Sequence, residues 1–188
     1  MLRNGFSLAE LLLALLILGQ IAVFTIPKVL SAQANAQKIS VLKETIASIN
    51  QVVYIGVITR ELDQSSNGTY VRSHLNLVKE CPTNATTQLC WTQGSDSIAA
   101  ELTQGGGIMH NGATLSGLNN GCCSSGDDYD IFAIDWNGPA GPNIQGDDQI
   151  RMYYCYGTAG CDGDATKHPG TVHPRGGTSK TMYENIFK

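Results

Sequence analysis

An α+β fold is predicted, with one long N-terminal helix whose outer half packs on a small antiparallel sheet. Three observations predict it: an uncharged N-terminal run, an apolar stripe at helical spacing beyond it, and later short segments rich in aromatic and β-branched residues. At 188 residues the chain fits one compact domain plus an anchor. Its charged fraction of 15% is low and its 21 glycines are many, which favours turns and extended segments. A net charge of −4 with no large basic block argues against a nucleic-acid coat, which needs a basic face.

The first element is the N-terminal helix. Residues 1–5 carry one cation, Arg3, and residues 11–26 carry no charge at all. Phe6 to Ile26 is 21 residues, enough for a helix to cross a bilayer core of about 30 Å. Arg3 before the run and no further cation until Lys28 favour an N-in, C-out orientation, with the rest of the chain outside the cytoplasm. An ordinary secretory signal fits less well, because the n-region is short and the apolar run exceeds the usual 7–15 residues. Its nearest cleavage pattern is Ser31-Ala32-Gln33-Ala34. Glu10 stands out, since a carboxylate in a membrane helix costs free energy and calls for a partner. A cut after Gly5 creates an amine on Phe6, four positions before Glu10, which can neutralise it within one chain or in a neighbour.

Gly5-Phe6-Ser7-Leu8-Ala9-Glu10 followed by a long apolar run resembles the processing signal of type IV pilins and type II secretion pseudopilins. The resemblance covers about the first 30 residues. It implies a pilin fold and cleavage after Gly5 by a prepilin peptidase, which also methylates Phe6. It further implies that Glu10 guides each subunit into register in a helical filament, and that Pro27 is the family's helix-kinking proline. The domain organisation that follows is a leader at 1–5, a transmembrane and filament-core helix at 6–27, and an extracytoplasmic globular domain at 28–188. The implied location is the bacterial inner membrane, single-pass, then a periplasmic or cell-surface filament. Implied partners are the peptidase, other pilin or pseudopilin subunits, the inner-membrane assembly platform and the membrane itself.

Beyond Pro27 the helix is expected to resume. Ile39, Leu42, Ile46, Ile49, Val53 and Val57 recur at steps of three and four. A helix from residue 6 to about 62 spans roughly 85 Å, too long for one globule to bury. Residues 63–68 read as a break, with Asn67-Gly68 a strong turn signal, and residues 69–103 as a mixed connector. Two short strands joined by a turn are expected over 105–117. Residues 129–136 and 149–156 are the best strands, followed by a loop-rich tail and a short closing helix over 178–188.

Between those two strands runs Asp135-Trp136-Asn137-Gly138-Pro139-Ala140-Gly141-Pro142-Asn143-Ile144-Gln145-Gly146-Asp147-Asp148. Asp135, Asn137, Asn143, Asp147 and Asp148 offer hard oxygen ligands of the kind calcium takes. It is not an EF-hand, since Pro139 falls at the fifth position and no glutamate closes the loop. A rigid glycine/proline turn with solvated acids is the leading reading of this loop, and calcium the alternative. The segment also resembles the Gly-Pro-Asn loop of pseudopilin-like proteins, some of which bind calcium near this position. No cofactor other than calcium is suggested.

Six cysteines, Cys81, Cys90, Cys122, Cys123, Cys155 and Cys161, lie outside the apolar N-terminus. In an exported domain an even count reads as disulfides rather than as zinc ligands, even with His168 and His173 nearby. Six cysteines allow 15 pairings; Cys81 with Cys90 is the best single choice because they close a short local loop, and Cys122 and Cys123 could pair with Cys155 and Cys161. No nucleophile elbow, phosphate loop or paired-carboxylate motif is present, so an enzyme is not expected. Two rivals to a pilus subunit are a singly anchored extracytoplasmic binding module that never polymerises and a minor pilin for DNA uptake. The second draws on Lys167, His168, His173, Arg175 and Lys180 in the tail, which a flexible solvated tail explains better; no nucleic-acid partner is expected.

Overall fold

A computed structural model describes residues 7–63, 67–81, 105–118, 129–138, 140–141, 143–157 and 168–188. The architecture is α+β: a long N-terminal helix and a small antiparallel sheet. The chain divides into two compact units, Met1–Gln37 and Lys38–Lys188.

Helix α1 spans Leu8–Thr59 and contains Pro27 without interruption of its helical assignment. In the first unit the large apolar side chains at positions 8–30 are 48–78% exposed, too much apolar surface for water to face. This is the one helix among the described residues that is long and apolar enough to cross a membrane.

In the second unit α1 becomes amphipathic. Val41, Leu42, Thr45, Ile46, Ile49, Val53 and Gly56 are buried, with Ile39 and Val57 partly so. The expected stripe is therefore the packed face, widened by Val41, Thr45 and Gly56. The helix stops at Thr59 instead of continuing to 62. Arg60 takes a left-handed φ of 60°, and Glu61 and Leu62 both donate main-chain hydrogen bonds to the Gly56 carbonyl at 3.0 Å. A Cβ on Gly56 would lie 2.5 Å from the Tyr70 ring and 2.8 Å from Leu62 Cβ, so the chain reversal needs glycine there.

The expected turn at Asn67-Gly68 is a correction. These residues open helix α2, Asn67–His74, and strand β1, Leu77–Cys81, follows within the segment read as connector. The Tyr70 ring stacks on His74 at 4.1 Å, and Tyr70 and Val71 bury against α1 and the core, so tertiary packing overrides the turn preference.

The sheet continues with β2, Gly106–Met109, β3, Thr114–Ser116, β4, Tyr129–Asp135, β5, Gln149–Cys155, and β6, Val172–Pro174. The strands lie in chain order, each antiparallel to its neighbours. Strands β2 to β5 match expectation, whereas β6 falls in the segment read as a tail. Three residues are too few to show an alternating pattern.

The pleat sorts β4 and β5 into two faces. Cross-strand pairs Phe132–Met152 and Ile134–Ile150 join Leu115 and the α1 stripe in the core. On the other face Tyr153 and Cys155 form a smaller cluster with Ile131. Tyr154 donates to the buried Asp130 carboxylate at 3.0 Å, and burial, helped by that carboxylate, pushes its phenol above the usual range. Helix α3, Gly177–Phe187, closes the core with Met182 and Ile186. Cys81 and Cys155 are disulfide-bonded. Four strand spacings of about 4.8 Å separate their strands, beyond a disulfide's reach, so they do not bond to each other. Cys90, Cys122, Cys123 and Cys161, and with them the expected pairings, lie outside the described residues.

Candidate functional site

Two groups of residues carry the functional expectations. At the start of α1, Gly5 and Phe6 lie outside the described residues. Glu10 is fully placed and has a partner that sequence reading missed. Ser7 N–H donates to Glu10 Oε2 at 2.8 Å, and Glu10 N–H donates to Ser7 Oγ at 3.2 Å. This reciprocal pair is a capping box, which satisfies two of the amides left without partners at a helix start. Its signal, Ser-x-x-Glu before an apolar run, was present in the sequence. Ser7 keeps its amide whether or not the chain is cut after Gly5, so the cap is compatible with processing.

The second group is the acidic loop that joins β4 to β5, held at one end by the pairing of Asp135 with Gln149. Alternation places Asp135 on the sheet face opposite α1, beside its β3 partner Thr114. Asp135 Oδ1 accepts from Asn137 N–H at 3.2 Å and Oδ2 from Gln149 Nε2 at 2.9 Å. Asp148 returns from the other end of the loop, accepting from Asn143 N–H at 2.6 Å and Ile144 N–H at 2.5 Å. Trp136 N–H donates to the Asp148 carbonyl at 3.1 Å, tying the two ends together.

The loop also packs on α3. Gln145 Nε2 donates to Ser179 Oγ at 3.3 Å, and a Cβ on Gly146, at φ 91°, would strike the Thr178 methyl at 2.2 Å. Asp147, by contrast, does not join the buried group. Its carbonyl accepts from Lys38 Nζ, and its carboxylate Oδ1 lies 3.6 Å from that nitrogen.

The electrostatics of the loop are unusual. Asp135 and Asp148 are each 1% exposed, and among the described residues neither has a basic side-chain partner. Burial raises the Asp135 carboxyl from 3.8 to about 7, the nearby Asp148 charge adds to the rise, and the Gln149 and main-chain donors oppose it. Around them Asn143 Oδ1, Asn137 Oδ1 and Thr114 Oγ1 are buried without a hydrogen-bond partner. Two buried carboxylates with N–H donors but no basic side chain, in a loop that holds further unpartnered oxygens, leave their negative charge without a counter-charge among the described residues. A proton on Asp135 or a bound cation would supply it.

The all-oxygen donor set fits a hard cation such as calcium and not zinc or copper. Among the described residues no three His, Cys, Asp or Glu side chains gather as a metal cluster, so a cation here would need amide or hydroxyl oxygens besides the two carboxylates. The structure buries Asp135 and Asp148 in the loop with Asn137 and Asn143, sets Thr114 opposite Asp135 in the sheet, and engages Asp147 with Lys38. Thr114 had no signal in the sequence, because only the β3–β4 register puts it beside Asp135. No protein-family model, curated protein or solved structure matches the chain.

Proposed function

We propose that the chain is a structural subunit of a type II secretion pseudopilus or type IV pilus, cut after Gly5, N-methylated at Phe6 and polymerised through its N-terminal helix. The observation that carries this reading is the Gly5-Phe6 to Glu10 signal at the head of a helix whose apolar side chains are left uncovered. Those side chains need lipid before assembly and neighbouring helices after it, and exchanging one for the other leaves the helix buried throughout. Glu10 would supply register: a carboxylate in that apolar layer is stable only where a cation, such as the new amine of Phe6 on a neighbour, meets it. The Ser7 cap offers it a partner within its own chain until then.

In this reading the subunit sits in the bacterial inner membrane with its sheet domain outside the cytoplasm, and its partners are a prepilin peptidase, the assembly platform and further subunits. Calcium would be held by Asp135 and Asp148, with Asn137, Asn143 and Thr114 nearby. It would offset the two buried carboxylates and fix the loop. Mass spectrometry of the native protein tests the reading. A chain beginning with N-methylated Phe6 is expected; an intact Met1, or a start near Ala34, would falsify it.

A further inference from the structure

Lys38 of α1 reaches the acidic loop and binds it at Asp147. Its side chain is 18% exposed, while that of Asp147 is 65% exposed, so the lysine is the sunken member of the pair. An ion pair with so exposed a carboxylate contributes little. The Asp147 carbonyl is a different kind of acceptor, fixed in a tight turn. Asp147, Asp148 and Gln149 N–H groups all donate to the Ile144 carbonyl at 3.1–3.2 Å, and Gly146 N–H donates to the Gln149 carbonyl at 2.7 Å. The peptide that Lys38 grips is the one joining Asp147 to Asp148, and Asp148 is the residue whose carboxylate folds back into the buried group.

We propose that Lys38 is a positioning residue of the loop. By holding the Asp147 carbonyl it orients the peptide that keeps the Asp148 carboxylate beside Asp135, and it withdraws the Asp147 carboxylate from the ligand set. A divalent cation at Asp135 and Asp148 is then coupled to α1 through Lys38, a step that rests on the calcium reading above. The sign of the effect separates this role from simple charge. A lysine acting only as a neighbouring positive charge repels a cation, so its removal would tighten binding. A positioning lysine does the opposite.

The test uses the full chain in detergent micelles, with Lys38→Met, which keeps the apolar stem, and Asp147→Asn, which keeps the carbonyl. Hydrogen exchange at the Asp147, Asp148 and Gln149 amides is followed in chelator, and calcium affinity is measured by calorimetry. Lys38→Met is expected to speed exchange at these amides and weaken calcium about tenfold, the usual loss when a residue supporting the ligands is removed. Asp147→Asn should change either quantity by only about twofold. Unchanged exchange in Lys38→Met, or tighter calcium binding, overturns the proposal. A wild-type chain that binds no calcium overturns the coupling and the calcium reading together, while the exchange measurement still decides the role of Lys38.

Discussion

Replacing Asp135 by Asn tests the charge shortage at the loop most directly. The change removes one charge with little change of shape, and the Gln149 amide can turn to accept from the new Nδ2. In the metal-free protein the Asp135 carboxyl stands at about 7 against 3.8 as the ordinary value. Its pKa is raised in the folded state, so its contribution to stability is complete below pH 3.8 and is lost as pH rises through 7. At about 1.4 kcal/mol per pH unit, the loss across that window is at most about 4 kcal/mol, and about half that where water at the loop edge screens the charge. Chemical denaturation of wild type and Asp135→Asn in chelator, at pH 4.5, 6, 7 and 8, reads the difference. The variant should gain on wild type steadily between pH 4.5 and 7 and level off above. Calcium at 100 times its dissociation constant should restore about 2.7 kcal/mol to wild type and much less to the variant. A difference between the two proteins that is flat with pH would refute the reasoning, because Asp135 would then ionise no differently folded than unfolded.

Two other substitutions address the helix. Glu10→Leu should abolish filament formation in cells, as seen by electron microscopy or shear fractionation, while the subunit remains membrane-bound; normal filaments would favour a simple anchor. The loss of its half of the capping box should cost the isolated subunit only about 1 kcal/mol. Gly56→Ala should destabilise the sheet domain by about 1–3 kcal/mol in denaturant unfolding, because the new methyl meets the Tyr70 ring and Leu62 at less than 3 Å. A neutral result would mean that Tyr70 can move aside and that the chain reversal after α1 does not depend on this glycine.

Much of the fold was legible because its signals are local. Periodicity alone located the packed face of α1, since a helix that buries one side must repeat apolar residues every three or four positions. Turn chemistry and β-branched composition located β2 to β5 for the same reason. Asn67-Gly68 misled because Tyr70 and Val71, with a core to enter, draw those residues into α2. Strand β6 was hidden because it exists only through its pairing with β5, from Met152–Pro174 to Tyr154–Val172. The Ser7–Glu10 cap is a local pattern too, Ser-x-x-Glu ahead of an apolar run, and needs no tertiary contact to form.

At the loop the division is sharper. Sequence by itself determined which oxygens are available, because Asp and Asn side chains carry them wherever they fold. It also determined the uncharged helix and the signal ahead of it, which are properties of consecutive residues. Tertiary structure alone decided which oxygens meet. Antiparallel pairing brought Asp135 to Gln149 and Thr114, the returning turn buried Asp148 beside it, and Lys38, 109 residues away, took Asp147 out of the group. The same step gave the site its chemistry: a carboxylate in water is little affected by its neighbours, but burial of Asp135 close to Asp148 without a basic partner favours its protonated form.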